Sequence, residues 1–291
     1  MRSYLNLVQR ILDTAVDKGD RTLTGTISLR GAAEIAHDME RGFPLLTTKK
    51  MPFKMIAVEL EGFLKGITDK RWYQDNGCSI WDEWCSPSKV PYGTDPETKR
   101  RMKEERDLGP FYGFQWRHFG ADYGGYDKDY SGKGVDQLAK RLSWLKKDIN
   151  TRRALVSAVN PEYEDEMALF PCHDSFHIKV VDNKVDVTWR QRSVDTFLGL
   201  PFNIASYGLL LHLVAKELGQ GEGILTGHLD DTHLYINHLD AAREQVKREP
   251  YALPRIETPD FKSLFEWDHT QTRIIEGTYK FHPKISAQVA V

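Results

Sequence analysis

Cysteine is scarce in this chain: Cys78, Cys85 and Cys172 are the only three among 291 residues. Their number is odd, and they fall in no CxxC or Cys/His zinc spacing, so neither a disulfide framework nor a metal site is expected. An excess of one charge is also missing. Forty basic residues stand against 42 acidic ones, which argues against a general polyanion binder or a membrane-surface protein, and against nucleic acid as the main partner. The most apolar stretch, LGLPFNIASYGLLLHLVAKEL, is too short and too charged at its end to span a bilayer. At the N-terminus, Arg2, Arg10 and Asp13 interrupt any signal-peptide core, while Leu5, Val8, Ile11 and Leu12 share one helical face. The expected setting is reducing and cytoplasmic. Internal repeats, low-complexity tracts and a convincing linker are absent as well. The length then suits one α/β or α+β domain over residues 1–291, with a surface insertion near 85–107.

What is present centres on Ala168 to Tyr207, ALFPCHDSFHIKVVDNKVDVTWRQRSVDTFLGLPFNIASY. A hairpin pattern runs through FHIKVV, a turn at Asp182-Asn183, and VDVTWRQRS. In the second arm Val185, Val187 and Trp189 alternate with Asp186, Thr188 and Arg190, the period of a half-buried strand. It ends in Gln191-Arg192-Ser193, donors suited to an anion, and a nearly all-apolar helix carrying Asn203 follows. Cys172 opens the stretch. A lone cysteine is ordinarily a small buried hydrophobe. A guanidinium brought alongside by the hairpin, such as that of Arg192, would instead favour the thiolate. His173 does not suit the role of base for Cys172, because adjacent strand residues point to opposite faces.

Other candidates carry two readings each. Arg21, in the hydroxyl-rich loop Asp20 to Thr26, can reach a phosphate or sit in a plain turn. Glu59 lies beside the apolar face formed by Ile56, Leu60, Phe63 and Leu64, an unusual place for a carboxylate unless it is partly exposed. Trp81 and Trp84 share one side of a helical turn, as core or as a wall for a flat heterocycle. Arg152 and Arg153 offer planar forks of donors to a phosphate, or plain surface charge. His233 and Tyr235 alternate about Leu234, so both polar tips share a face, ready for a sugar hydroxyl or for a buried hydrogen bond.

The blocks DRTLTGT, GFPLLTTKK, IWDEW, LGPFYGFQWRHFGADY, RRALVSAVN, PCH, QRSVD, LGLPFNIASY and DTHLYINH, in this order, resemble those of the thymidylate synthase family over most of the chain. The resemblance implies an α/β fold, a large mixed sheet with surrounding helices, and a homodimer formed through the sheet face. It implies reductive methylation of dUMP to dTMP, with 5,10-methylene-tetrahydrofolate as co-substrate and no metal. Cys172 would be the nucleophile, Glu59 a buried acid that orders water, and Asn203 the reader of the pyrimidine edge. Arg21, Gln191, Arg192, Ser193 and the partner-donated Arg152 and Arg153 would surround the nucleotide phosphate. His233 and Tyr235 would hold the sugar, and Asp195, Lys49, Trp81, Ala290 and Val291 would lie on the folate side, with Asp195 also near the nucleotide. Four residues depart from the family pattern: Leu23 and Asp230 stand for glycines, Glu61 for an apolar residue and Gly62 for a large aromatic one. The alternatives are a pyrimidine-nucleotide 5-hydroxymethylase with the same nucleophile and a non-catalytic nucleotide- or RNA-binding relic.

Overall fold

A computed structural model of the chain describes residues 1–19 and 24–288. Arg21, Leu23, Ala290 and Val291 therefore lie outside the described residues, and with them the expected loop ligand of the phosphate and two of the residues expected on the folate side. In chain order the structure has α1 (Arg2–Thr14), β1 (Val16–Lys18), β2 (Thr26–Ser28), β3 (Ala33–Asp38), α2 (Phe53–Lys65), α3 (Lys70–Asp75), α4 (Pro96–Glu104), α5 (Gly113–His118) and α6 (Gln137–Lys147). It continues with β4 (Leu155–Ser157), β5 (His173–Val181), β6 (Lys184–Asp195), α7 (Gly199–Leu218), β7 (Gly221–Tyr235), α8 (Leu239–Val246), β8 (Ile256–Glu257) and β9 (Arg273–Ile274). The class is mixed α/β, as expected. The chain divides into two compact units: Met1–Phe53, Val180–Phe261 and Thr270–Val291 form one, and Lys54–Lys179 with Lys262–His269 the other.

The first unit holds a large mixed sheet. Strand β6 runs parallel to β7, and β7 is antiparallel to both β2 and β3, with β1 antiparallel to β2. The alternation read in the sequence is realised: Val185, Val187, Trp189 and Gln191 are buried, while Asp186, Thr188 and Arg190 stand on the more open face. Asp182 and Asn183 both take positive φ, 50° and 56°, the backbone of a two-residue hairpin turn whose twist suits the flanking strands. Helix α7 buries residues on every side of its axis and packs on β6 and β7, which is why its sequence shows no amphipathic stripe. In α1, Tyr4, Leu5, Val8 and Ile11 face inward at helical spacing.

The second unit is built on aromatic packing around α2. Phe63 lies against Trp81, Phe111, Tyr112 and Trp116, with ring centroids 4.9–6.4 Å apart. Strands β4 and β5 pair antiparallel. The segment read as an insertion does contain a short solvated helix, α4, capped by Asp95 and laced by exposed Glu97–Arg100–Glu104 pairs. It is anchored by Met102, which packs on Cys85 and Val90, and by buried Lys70, whose Nζ donates to the carbonyls of Trp84 and Met102 at 2.8 and 2.7 Å. No helix among the described residues is long and apolar enough to cross a membrane.

Candidate active site

The second unit carries the thiol. Burial pushes Cys78 up to about 12 and Cys85 up to about 11, so both stay protonated. All three thiols are free, and Cys172 alone is only half-buried. It sits just ahead of β5, and its backbone N–H donates to the Tyr112 hydroxyl oxygen at 2.8 Å. Tyr112 is held at φ 24°, ψ −89°, a region that costs a bulky residue on the order of 1–3 kcal/mol. The surrounding stack holds it there. Its ring stacks with Phe63 at 4.9 Å and with His173 at 4.3 Å, at interplanar angles of 21° and 27°, and those two rings lie 6.2 Å from each other. The neighbouring Gly113 has no Cβ because the Phe63 backbone approaches within 2.6 Å of where one would stand. His173 is buried, and burial pulls its imidazole down to about 3. It is neutral at physiological pH, a packing ring and not a base for the thiol.

Glu59 is buried, not partly exposed. Burial raises its carboxyl to about 7. The Trp81 N–H offsets part of that rise, although Trp81 Nε1 is buried without a hydrogen bond of normal geometry. A carboxyl poised near neutrality both gives and takes protons at working pH. The two tryptophans of IWDEW lie in one tight turn, with Trp84 N–H donating to the Trp81 carbonyl at 3.0 Å. Trp81 is in the core, and Trp84 leans on Tyr92 with centroids 6.0 Å apart. Glu61, two positions along α2, is buried but turned to other partners: Lys65 Nζ at 2.5 Å, and His269 through its backbone N–H at 2.9 Å and Nδ1 at 2.7 Å. Gly62 is backed by Tyr73, whose ring atoms lie 2.3–2.4 Å from where a Cβ would be. Arg152 and Arg153 are exposed just before β4, and among the described residues neither side chain is joined to a carboxylate.

The first unit carries the groups expected around the nucleotide. Trp189 lies over Gly227, its cross-strand partner on β7, where a Cβ would come within 2.3 Å of the indole. There its Nε1 donates to Gln191 Oε1 at 3.2 Å. This fixes which end of the Gln191 amide is the donor: Nε2 reaches the Ser193 carbonyl at 3.0 Å and Asn203 Oδ1 at 3.1 Å. Asn203 is thereby oriented, with Oδ1 held by Gln191 and Nδ2 left as its donor. The Gln191 side chain is thus committed to its neighbours and not turned to an anion. Arg192 and Ser193 follow, half-buried on β6.

Asp195 closes the strand. Its Oδ1 accepts from the Phe197 and Leu198 backbone N–H groups at 3.1 and 3.0 Å, bracing the turn that leads into α7, and the parallel register sets it opposite His233. Lys49 is buried; its Nζ donates to the Phe197 carbonyl at 2.5 Å and lies 3.9 Å from that ring's centroid. Burial lowers its pKa to about 8, against the pull of Asp195. His233 and Tyr235 do share a face, their rings edge to face at 5.3 Å. His233 Nδ1 bonds the Asp231 carbonyl at 2.9 Å, so in the neutral tautomer Nε2 is an acceptor for a hydroxyl. Asp230 pairs with exposed Arg190 at 2.9 Å on the outer face, worth well under about 1 kcal/mol.

Two residues of this constellation were not singled out from the sequence. Tyr112 lies inside LGPFYGFQWR, and neither spacing nor charge marks it. His238 is fully buried, donates from Nε2 to the Gln288 carbonyl at 2.7 Å and stands 3.9 Å from Asp195 through Nδ1; its one signal was the position at the end of DTHLYINH. The family profile described as Thymidylate synthase matches residues 2–291, so that it takes in both units, and the chain belongs to the thymidylate synthase family.

Proposed function

We propose that the chain, a one-carbon transferase of the dUMP-methylation type, makes dTMP from dUMP with 5,10-methylene-tetrahydrofolate and releases dihydrofolate. The observation that carries this reading is the half-buried Cys172, its backbone tied to a strained Tyr112, in the same unit as a buried Glu59 titrating near neutrality. The Cys172 thiolate adds to carbon 6 of the pyrimidine, and the displaced electron pair makes carbon 5 an enolate-like nucleophile. Asn203, oriented by Gln191, matches the pyrimidine edge. Glu59 and water ordered by it exchange protons with the pyrimidine oxygen as charge develops there. Arg192 and Ser193 with Arg21 hold the phosphate, and His233 and Tyr235 the sugar hydroxyl. Carbon 5 gives up its proton after taking the one-carbon unit, and the C6–S bond breaks in the last step, returning its electron pair to Cys172 as the thiolate.

The folate, when bound, supplies both the one-carbon unit and the hydride that reduces it. The residues present fit it. Trp81 brings an aromatic surface with an unpartnered buried N–H, Asp195 a half-buried carboxylate and Lys49 a cation of lowered pKa; Ala290 and Val291 belong to the same role. No metal is needed for any of these steps. The reading includes a homodimer. Exposed and unpaired Arg152 and Arg153 suit donation to a partner's phosphate, and the open sheet face of the first unit displays Ile224 and Val181. A two-fold contact would give each protomer the other's arginines.

Methylation is preferred to 5-hydroxymethylation because the added carboxylate, Glu61, is paired with Lys65 and hydrogen-bonded by His269 and so draws no water toward Glu59. A relic without catalysis would not need the strained Tyr112. The test is trapping with 5-fluoro-dUMP and methylene-tetrahydrofolate, whose fluorine cannot leave as a proton does. A covalent ternary complex that survives denaturation, and is lost in Cys172→Ala, is expected. Absence of any adduct in the unaltered protein would contradict the proposal.

A further inference from the structure

Glu59 and Gly62 are three residues apart on α2 and share a face of that helix. The family pattern expected from the sequence places a large aromatic side chain at the second position. Here there is none, yet the space is not open. A Cβ built on Gly62 would lie 2.3 Å from Tyr73 Cε1 and 2.4 Å from Cζ and Oη, so the tip of the ring touches the helix backbone itself. Tyr73 is fully buried. Its hydroxyl donates to the Ile67 carbonyl at 3.1 Å, and the Ile67 N–H donates to the Gly62 carbonyl at 2.9 Å. The ring is thus fixed to the very turn of backbone it covers. Trp72 meets it edge to face at 5.2 Å.

We propose that Tyr73 is a positioning residue that replaces, from α3, the aromatic wall missing at Gly62, and that this wall keeps bulk water from Glu59 and so favours the methyl over the hydroxymethyl product. The product clause rests on the dTMP reading above. Chemistry sets the stakes: once the one-carbon unit is attached to the pyrimidine, its exocyclic carbon accepts either a hydride or a water oxygen, and hydride wins in a dry pocket. The groups facing Glu59 suit a dry wall. Burial holds the Tyr73 hydroxyl and the Cys78 thiol protonated, with the Glu59 charge adding to both effects, and Trp81 contributes only its N–H. Glu61, whose charge also bears on Tyr73, is held by Lys65 and His269.

The experiment compares Tyr73→Ala, Tyr73→Phe and the double variant Tyr73→Ala with Gly62→Phe. Two readouts are taken: the 5-hydroxymethyl-dUMP to dTMP ratio, and the Glu59 titration followed by carbon-13 NMR of labelled glutamate carboxyls. The proposal expects Tyr73→Ala to raise the hydroxymethyl ratio several-fold and to bring Glu59 down from about 7 toward the ordinary carboxylate range. Tyr73→Phe should move neither, and the double variant should reverse both changes. A merely structural role would lower the melting temperature and kcat while leaving ratio and titration where they were, and that result would overturn the proposal. Should Tyr73→Ala not fold, Tyr73→Leu takes its place with the same two outcomes. A protein that makes neither product from dUMP would defeat the dTMP reading, while the titration would still decide whether Tyr73 walls off Glu59.

Discussion

Gln191→Glu is the substitution that most sharply probes how the base would be chosen. It keeps the shape of a side chain that is only 2% exposed but exchanges its donor for an acceptor. In the native arrangement Nε2 donates to Asn203 Oδ1 at 3.1 Å and to the Ser193 carbonyl at 3.0 Å. In the variant Asn203 Oδ1 faces a carboxylate oxygen, and the amide relieves the clash by turning over, giving Nδ2 to the carboxylate and Oδ1 to the pocket. Uracil offers an acceptor oxygen and a ring N–H, and it loses its match. Cytosine offers an amino donor and an acceptor nitrogen, and it gains one. A mispaired buried contact costs about 1–3 kcal/mol, which is roughly 5-fold to 150-fold in kcat/KM. The assay is kcat/KM for dUMP and dCMP at one fixed folate concentration, with Gln191→Met as control. The control should lose dUMP activity without reversing preference, since it neither donates nor accepts. A Gln191→Glu protein with the unaltered dCMP to dUMP ratio would refute the orienting chain from Trp189 through Gln191 to Asn203.

Further outcomes are expected. Cys172→Ala should keep nucleotide binding within about tenfold and abolish turnover; substantial residual turnover would remove it as nucleophile. Arg152→Ala and Arg153→Ala should raise the apparent KM for dUMP, and mixing either with Cys172→Ala should restore activity if the arginines act across a dimer, which titrating the two proteins against each other will decide. Burial raises Glu59 from the ordinary 4.5 to about 7, so its favourable contribution is complete below pH 4.5 and is lost as pH rises through 7. Glu59→Gln should therefore gain stability over the native protein above pH 7, by up to about 3 kcal/mol, and lose that advantage in mild acid. Urea unfolding at both pH values measures this, and an equal difference at the two would argue against a buried neutral carboxyl.

Much of the fold was legible because its elements announce themselves locally. Val185, Val187 and Trp189 alternate, Asp182-Asn183 supplies the positive φ of the hairpin, and α7 is apolar all round. The site was legible by residue type but not by role. Gln191 reads as an anion donor beside Arg192, and only the indole of Trp189 above Gly227 reveals that its amide is already committed. Glu59 reads as partly exposed, since periodicity places it at the edge of an apolar face; burial is decided by what packs across from it. Glu61 and His269 are 208 positions apart, and no local pattern couples them. Tyr73 could not have been found from its own surroundings, because its meaning depends on the side chain absent at Gly62.

The most direct test of the account is the identity of the product made from dUMP and methylene-tetrahydrofolate, read by mass spectrometry alongside the dihydrofolate absorbance. dTMP and dihydrofolate are expected in equal amounts, with 5-hydroxymethyl-dUMP a minor species. Mainly 5-hydroxymethyl-dUMP, formed with no dihydrofolate, would contradict it.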